Sequence, residues 1–275
     1  MNVVTFILPP LLVLPPPATA ARGLPPSERS VSDRLVQASA PAAGRTPVLV
    51  ELFTSEGCST CPPADQFLMK LDANQPVDGA EVIALEEHVD YWNQGGWTDP
   101  YSATEWTRRQ LRYVTTFSEQ GPYTPEMVVD GKRGFVGSEE GVAYAAIRES
   151  AHAPEVKVLV SVEEGAKDKR RLHVRVDRLA SQESGEVFLA VAEDGLASSV
   201  TKGENAGKTL QHAPVLRSLQ KIGTMGGKPN SPPFEARPEV SFQSRWNKDR
   251  LRIVVFVQDS KTLQILGAAA TRIAG

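Results

Sequence analysis

Cysteine is almost missing from this 275-residue chain; Cys58 and Cys61 are the only two. A multi-bridge disulfide framework is therefore excluded, and so is a four-cysteine zinc site. The sequence also lacks a GxxxxGK[ST] phosphate loop and an HExxH zinc helix. It has no excess of positive charge: 30 Lys and Arg stand against 33 Asp and Glu, a net −3 with no dense basic stripe. That balance argues against a nucleic-acid partner. Beyond residue 20 no apolar run reaches the 18 residues a spanning helix requires, so no membrane span is expected after the leader. With 41% hydrophobic and 23% charged residues, the composition is that of a soluble chain able to bury a sizeable core.

Residues 1–20 lack any charged side chain, and the run from Val3 to Leu14 is apolar. Ala18-Thr19-Ala20 offers a small-x-small cleavage site. The pattern is that of a secretory signal peptide, although the start has no Lys or Arg and five prolines interrupt the run. Export to the periplasm or the exterior is expected, which would place both cysteines in an oxidising compartment. Residues 21–46, rich in Ala, Pro, Ser and Arg, read as a flexible tether.

The two cysteines sit in Cys58-Ser59-Thr60-Cys61-Pro62-Pro63. Val48-Leu49-Val50-Glu51-Leu52-Phe53 before them reads as a buried strand. Phe67, Leu68 and Leu71 after them recur at helical spacing. A CxxC pair where a strand turns into a helix points to thiol–disulfide chemistry, because the helix N-terminus stabilises a thiolate. Cys58, ahead of the helix, is expected to be the more exposed, attacking thiol, with Cys61 resolving. Spacing alone leaves other readings open. The pair could be half of a metal site completed by His88 or His212, a lone nucleophile with His88 as base, or an inert disulfide. The last closes too short a loop to restrain the unfolded chain much.

Up to about Ala151 the order is β-α-β-α-β-β-α: strands at 48–53, 81–85, 126–129 and 134–136, and helices near 61–73, 104–117 and after Ser138. Asp130-Gly131 marks a hairpin, and Ser138 is positioned to cap the last helix. In the second helix Trp106, Leu111, Val114 and Phe117 fall near one face, and Arg108, Arg109 and Arg112 read as a solvated face. From Glu155 the pattern becomes strands only, at 156–162, 172–176, 186–192, 239–246, 251–258 and 263–272. The expected fold class is thus an α/β domain over 47–152 followed by an all-β sandwich over 153–275.

The order of the first domain resembles thioredoxin, and Tyr123-Thr124-Pro125 stands directly before the third strand, where thioredoxin-like proteins carry a cis-proline beside the cysteines. The resemblance implies a cis Thr124–Pro125 bond and a backbone at Thr124 that docks an incoming peptide. Thioredoxin's usual Trp before the first cysteine is Gly57 here. Several runs narrow the match: Glu51 to Asp65, His88-Val89-Asp90-Tyr91-Trp92, Gly96-Trp97-Thr98-Asp99-Pro100, Arg109-Gln110, and Gly203-Glu204-Asn205-Ala206-Gly207 with Leu210 and His212. These resemble the secreted, thioredoxin-like family catalogued as domain of unknown function 1223. Thr60 and Glu87 depart from its usual Ser and Tyr.

The candidate site is then Cys58 and Cys61, with Thr124, Pro125, Tyr91, Trp92 and Trp97 toward substrate and His88, Asp90 and His212 as modulators. The aromatic insert from His88 to Tyr101 reads equally as a client-gripping rim or as a lid packed on itself. The expected function is an exported thiol–disulfide oxidoreductase whose partners are thiols or disulfides of exported clients and a redox partner protein. No cofactor and no resident metal are expected. The alternatives are a non-enzymatic binding module with a permanent disulfide, or a metal-binding protein using CxxC plus His. The short connection at 151–155 predicts that the two halves pack as one body, with the 203–217 loop reaching back to the first.

Overall fold

β1 (Thr46–Thr54) is buried from Pro47 to Thr54, as befits a near-continuous apolar run in the middle of a sheet covered on both faces. The computed structural model describes, besides Met1, residues 44–153, 156–163, 165, 166, 168–179, 184–228 and 230–273. The expected leader and most of the tether lie outside the described residues. β1 pairs in parallel with β2 (Ala80–His88), Val50 beside Ala84, and antiparallel with β3 (Glu126–Val129), Leu52 beside Met127. β3 returns as β4 (Arg133–Val136) through Asp130 and Gly131, with φ of +47° and +61°. Those left-handed values are why Asp-Gly stands there. A Cβ at Gly131 would also overlap the carbonyl of Leu263 from the far half of the chain.

Successive residues of a strand point to opposite faces. Val48, Val50 and Leu52 therefore face α1 (Pro62–Asn74) and α3 (Glu140–Ala151), packing on Phe67, Leu68, Leu71, Ala143 and Ile147. Leu49 and Phe53 face α2 (Thr104–Phe117), on Trp106 and Tyr113 respectively. Two local expectations fail. Leu111 is exposed, and α2 buries Trp106, Arg109, Gln110, Tyr113 and Val114 instead. Ser138 caps nothing, because α3 starts at Glu140 with no side-chain cap.

The second half supplies β5 (Val158–Val162), β6 (Lys169–Val176), β7 (Ser184–Glu193), β8 (Ala197–Ser199), β9 (Thr209–Gln211), β10 (Val215–Gly226), β11 (Phe234–Ala236), β12 (Glu239–Ser241), β13 (Leu251–Asp259) and β14 (Ile265–Arg272). One mixed sheet of eight strands crosses both halves in the order β14-β13-β7-β10-β2-β1-β3-β4. A smaller sheet of β5, β6, β11 and β12 covers one face of its β7 and β13 end. Val158, Val160, Leu172 and Val174 there meet Val187, Leu189, Val191, Ile253 and Val255. Each such side chain contributes about 1.5–3 kcal/mol by leaving water. On the opposite face, Phe188, Ala190, Val254 and Phe256 join Leu49, Ile83 and Trp106 in a core under α2. The two halves therefore share one sheet and one of its cores.

The strand that joins them, β10, is absent from the sequence reading. Register shifts at Leu216/Ser218 and Lys221/Gly223 break its period of two, and most of its residues are exposed or half-buried. Its contact with β2 is brief: Val215 registers with Glu86, and Glu86 N–H donates to Pro214 O at 2.9 Å. That junction lies at the candidate site.

Candidate functional site

β1 ends at Thr54, and the turn that follows carries Cys58 to the mouth of α1. Cys58 N–H donates to Ser55 O (3.1 Å), Cys61 stands at the N-cap position with its carbonyl accepting from Ala64 N–H (2.8 Å), and Pro62 and Pro63 occupy the first turn, where N–H groups lack helical partners. Cys58 and Cys61 form a disulfide with Cα atoms 5.5 Å apart. The Thr124–Pro125 bond is cis, and the Thr124 carbonyl oxygen lies 3.9 Å from Cys58 Sγ. Thr60 Oγ1 is 3.3 Å from the same sulfur. The expectation that Cys58 is the more exposed is not met, for both cysteines are 0% exposed. The reason is tertiary. The turn at 203–207 sits on this segment, with Asn205 Nδ2 donating to Glu56 O and Cys58 O, each at 2.9 Å. Ser59 N–H donates to Glu204 Oε2 (3.0 Å).

The aromatic insert is tied down at its polar ends while its rings stay half-buried. Trp92 Nε1 donates to Thr124 Oγ1 (2.7 Å), Trp97 Nε1 to Glu56 Oε2 (2.7 Å), and Tyr91 OH to Gln110 Oε1 (3.2 Å). Gly57 leaves room for Trp92, whose Cβ would stand 3.1 Å from a Cβ at that position. Asp90 turns away to the start of α2, accepting from Thr104 and Thr107 at 2.6 and 2.7 Å.

His88 and His212, expected as modulators of the cysteines or, in the alternative readings, as metal ligands or a base, lie in a buried chain of ionisable groups. His88 Nδ1 is 2.7 Å from Asp99 Oδ2, and its Nε2 is 3.1 Å from Glu86 Oε1. His212 Nδ1 is 2.9 Å from the same Glu86 oxygen, and its Nε2 is 2.9 Å from Glu56 Oε1. Backbone N–H groups complete the set: Glu56 donates to Asp99 Oδ2, Tyr101 to Asp99 Oδ1, and Ala213 to Glu86 Oε2. Burial opposes charge on His88, but Asp99 and then Glu86 outweigh it and hold the ring well above its ordinary value. The same contest lifts His212 to about 9, with Glu86 and Glu56 on the winning side. Burial would raise Glu86, yet the two histidines bring it down. Asp65, on α1 and bonded to Thr54 Oγ1 (2.6 Å), is pushed to about 8 by burial and by Glu86.

Sequence reasoning missed Glu56, Glu86 and Asp99. One signal was available: Glu86 and His88 are two apart at the end of β2, after the apolar run Val82 to Leu85, and so point to one face. His212 and Asn205 come from the far half, as the loop expectation required. Among the described residues, Glu86, His88 and His212 form a group whose ligand atoms all lie within 4.8 Å of one another.

A second buried cluster lies under α2. Arg109, expected in solvent, is 6% exposed. Its Nε meets Glu51 Oε1 at 2.5 Å and Glu87 Oε1 at 3.4 Å, and it also donates to Tyr113 OH (3.1 Å) and to Gln258 of β13 (3.2 Å). Burial, then Glu51, keeps Glu87 well above the usual carboxylate range. Glu126, next to Pro125, is raised to about 8 by burial, although Gln110 Nε2 donates to it at 2.8 Å.

Residues 49–258 match the family described as protein of unknown function (DUF1223), and the chain belongs to that family. A solved structure of protein AGR_C_4864 from Agrobacterium tumefaciens is similar, with 25% identity, a TM-score of 0.63, and coverage of 85% of this chain and 100% of that one. HBP35 of Porphyromonas gingivalis shares the fold at 15% identity and a TM-score of 0.61, over 85% of this chain and 77% of its own. No curated protein matches the sequence. No helix among the described residues is long and apolar enough to cross a membrane.

Proposed function

We propose that this member of the DUF1223 family has a thioredoxin-like first part and is an exported thiol–disulfide oxidoreductase acting on protein thiols through Cys58 and Cys61. The observation that carries the reading is a disulfide held between a strand end and a helix start, with a backbone carbonyl, that of Thr124, 3.9 Å from Cys58 Sγ. A client thiolate attacks Cys58 Sγ. The Cys58–Cys61 bond breaks, and Cys61 leaves as a thiolate beside the α1 N-terminus, whose dipole favours negative charge. A second client thiol then attacks the client sulfur of the mixed disulfide and releases Cys58. The client leaves oxidised and the protein reduced, and a redox partner closes the cycle by the reverse exchange. The charge-free leader at residues 1–20 supports export, where such a pair remains oxidised.

Burial of both sulfurs favours a second reading, a non-enzymatic binding module with a permanent disulfide. A thiol–disulfide redox titration separates the two. A potential of about −120 to −270 mV is expected for the oxidoreductase, and one below about −300 mV overturns it in favour of the structural disulfide.

A further inference from the structure

Three donor atoms from two distant parts of the chain converge where β10 meets β2. We propose that Glu86 Oε1, His88 Nε2 and His212 Nδ1 bind one divalent first-row transition cation of the zinc class. Glu86 Oε1 is 3.1 Å from His88 Nε2 and 2.9 Å from His212 Nδ1. The three donor atoms all lie within 4.8 Å of one another. Ligands about 2.0–2.2 Å from a tetrahedral zinc stand ~3.4 Å apart, so the ion enters as the two rings draw together by up to about 1.4 Å and the ring protons facing Glu86 leave. Two imidazoles and one carboxylate suit zinc and its neighbours rather than calcium or magnesium, which take oxygen.

The surroundings of the three ligands are built for the same purpose. A ligating histidine ordinarily donates its other ring N–H to a carboxylate or carbonyl, which fixes its orientation. Here the outer nitrogen of His88 faces Asp99 at 2.7 Å, and that of His212 faces Glu56 at 2.9 Å. The outer oxygen of Glu86 accepts from Ala213 N–H. Tyr101 packs edge-on against both rings, with centroids 5.4 and 5.3 Å away. Each donor thus has its inner atom at the convergence point and its outer atom held by a second group. All three ligand residues are at most 4% exposed. A cavity of about 200 Å³ borders His212 and Ala213 from the side of Met69 and Ala73. Three protein donors leave a fourth position open, as in catalytic rather than structural zinc sites. Cys58 and Cys61, locked in their disulfide, supply no ligand. The site is therefore independent of the oxidoreductase reading.

The test uses the untagged, oxidised protein, so that no thiolate is available. Equilibrium dialysis against Co²⁺ and then Zn²⁺ is expected to load one ion per chain. The cobalt form should show ligand-field absorption without thiolate charge transfer. It should also give two paramagnetically shifted, exchangeable imidazole N–H resonances, from the protons held by Asp99 and Glu56. His212→Gln should abolish loading, and Asp99→Asn should weaken it by about 10–100-fold. Absence of stoichiometric loading, undiminished loading in His212→Gln, or thiolate charge transfer would each overturn the proposal. Should His212→Gln fail to fold, the wild-type cobalt spectrum decides: fewer than two shifted imidazole N–H resonances refutes it.

Discussion

Asn205→Ala is the perturbation that most directly tests how the disulfide is covered. The Asn205 amide donates to two main-chain carbonyls, Glu56 O and Cys58 O, from a fully buried position. Cys58 O keeps a second donor in Cys61 N–H, so its loss is about 1 kcal/mol, the net worth of an ordinary hydrogen bond. Glu56 O loses a buried donor outright, a cost of about 1–3 kcal/mol. The free energy of lifting the 203–207 turn should therefore fall by about 2–4 kcal/mol, and its open population rise by about 30–1000-fold. The assay is the rate of reduction of Cys58–Cys61 by dithiothreitol, at concentrations where opening precedes cleavage. Urea unfolding alongside measures global stability. If the turn gates the disulfide, reduction accelerates by more than any loss of global stability accounts for. Asn205→Asp, which keeps the shape but removes the NH₂ donor, should behave like Asn205→Ala. Unchanged reduction in both variants would mean that the sulfurs are reached by another route, and the gating argument would fall.

Two further outcomes follow from the buried charges. Glu126 is raised from 4.5 to about 8, so the folded state keeps its proton while the unfolded chain releases it above pH 4.5. Stability should therefore fall as pH rises from about 4.5 to 8, by up to about 3–5 kcal/mol from this residue. Glu126→Gln should remove that slope, read as the wild-type-minus-variant difference in urea unfolding at pH 5 and pH 8.5; equal differences at the two values would refute the assignment. Arg109→Met leaves the buried Glu51 without its cation and is expected to cost about 3–5 kcal/mol, with partial recovery on adding Glu51→Gln. A single-variant loss within about 1 kcal/mol would show that the pair is not the anchor it resembles.

Whatever is periodic or local was legible in the chain alone. A run of apolar residues made β1 a central strand, 3.6-residue spacing made α1, and Asp130-Gly131 made the hairpin because only residues tolerant of positive φ fit there. The position of the CxxC pair at a strand-to-helix turn was legible for the same reason. Folding set the rest, wherever long-range pairing overrides local pattern. β10 carries two register shifts and residues that are mostly half-buried or exposed, so no alternation announces it, yet it fastens the second half to β2. Arg109 looks like a surface cation until Glu51 of β1 and Gln258 of β13 close around it. Glu56, Glu86 and Asp99 carry no signal when taken singly, and His88 and His212 show only as candidates beside the cysteines. They become one buried site only because folding brings His212, 126 positions along the chain, to Glu86, and a buried polar group must find its partner wherever the fold supplies one.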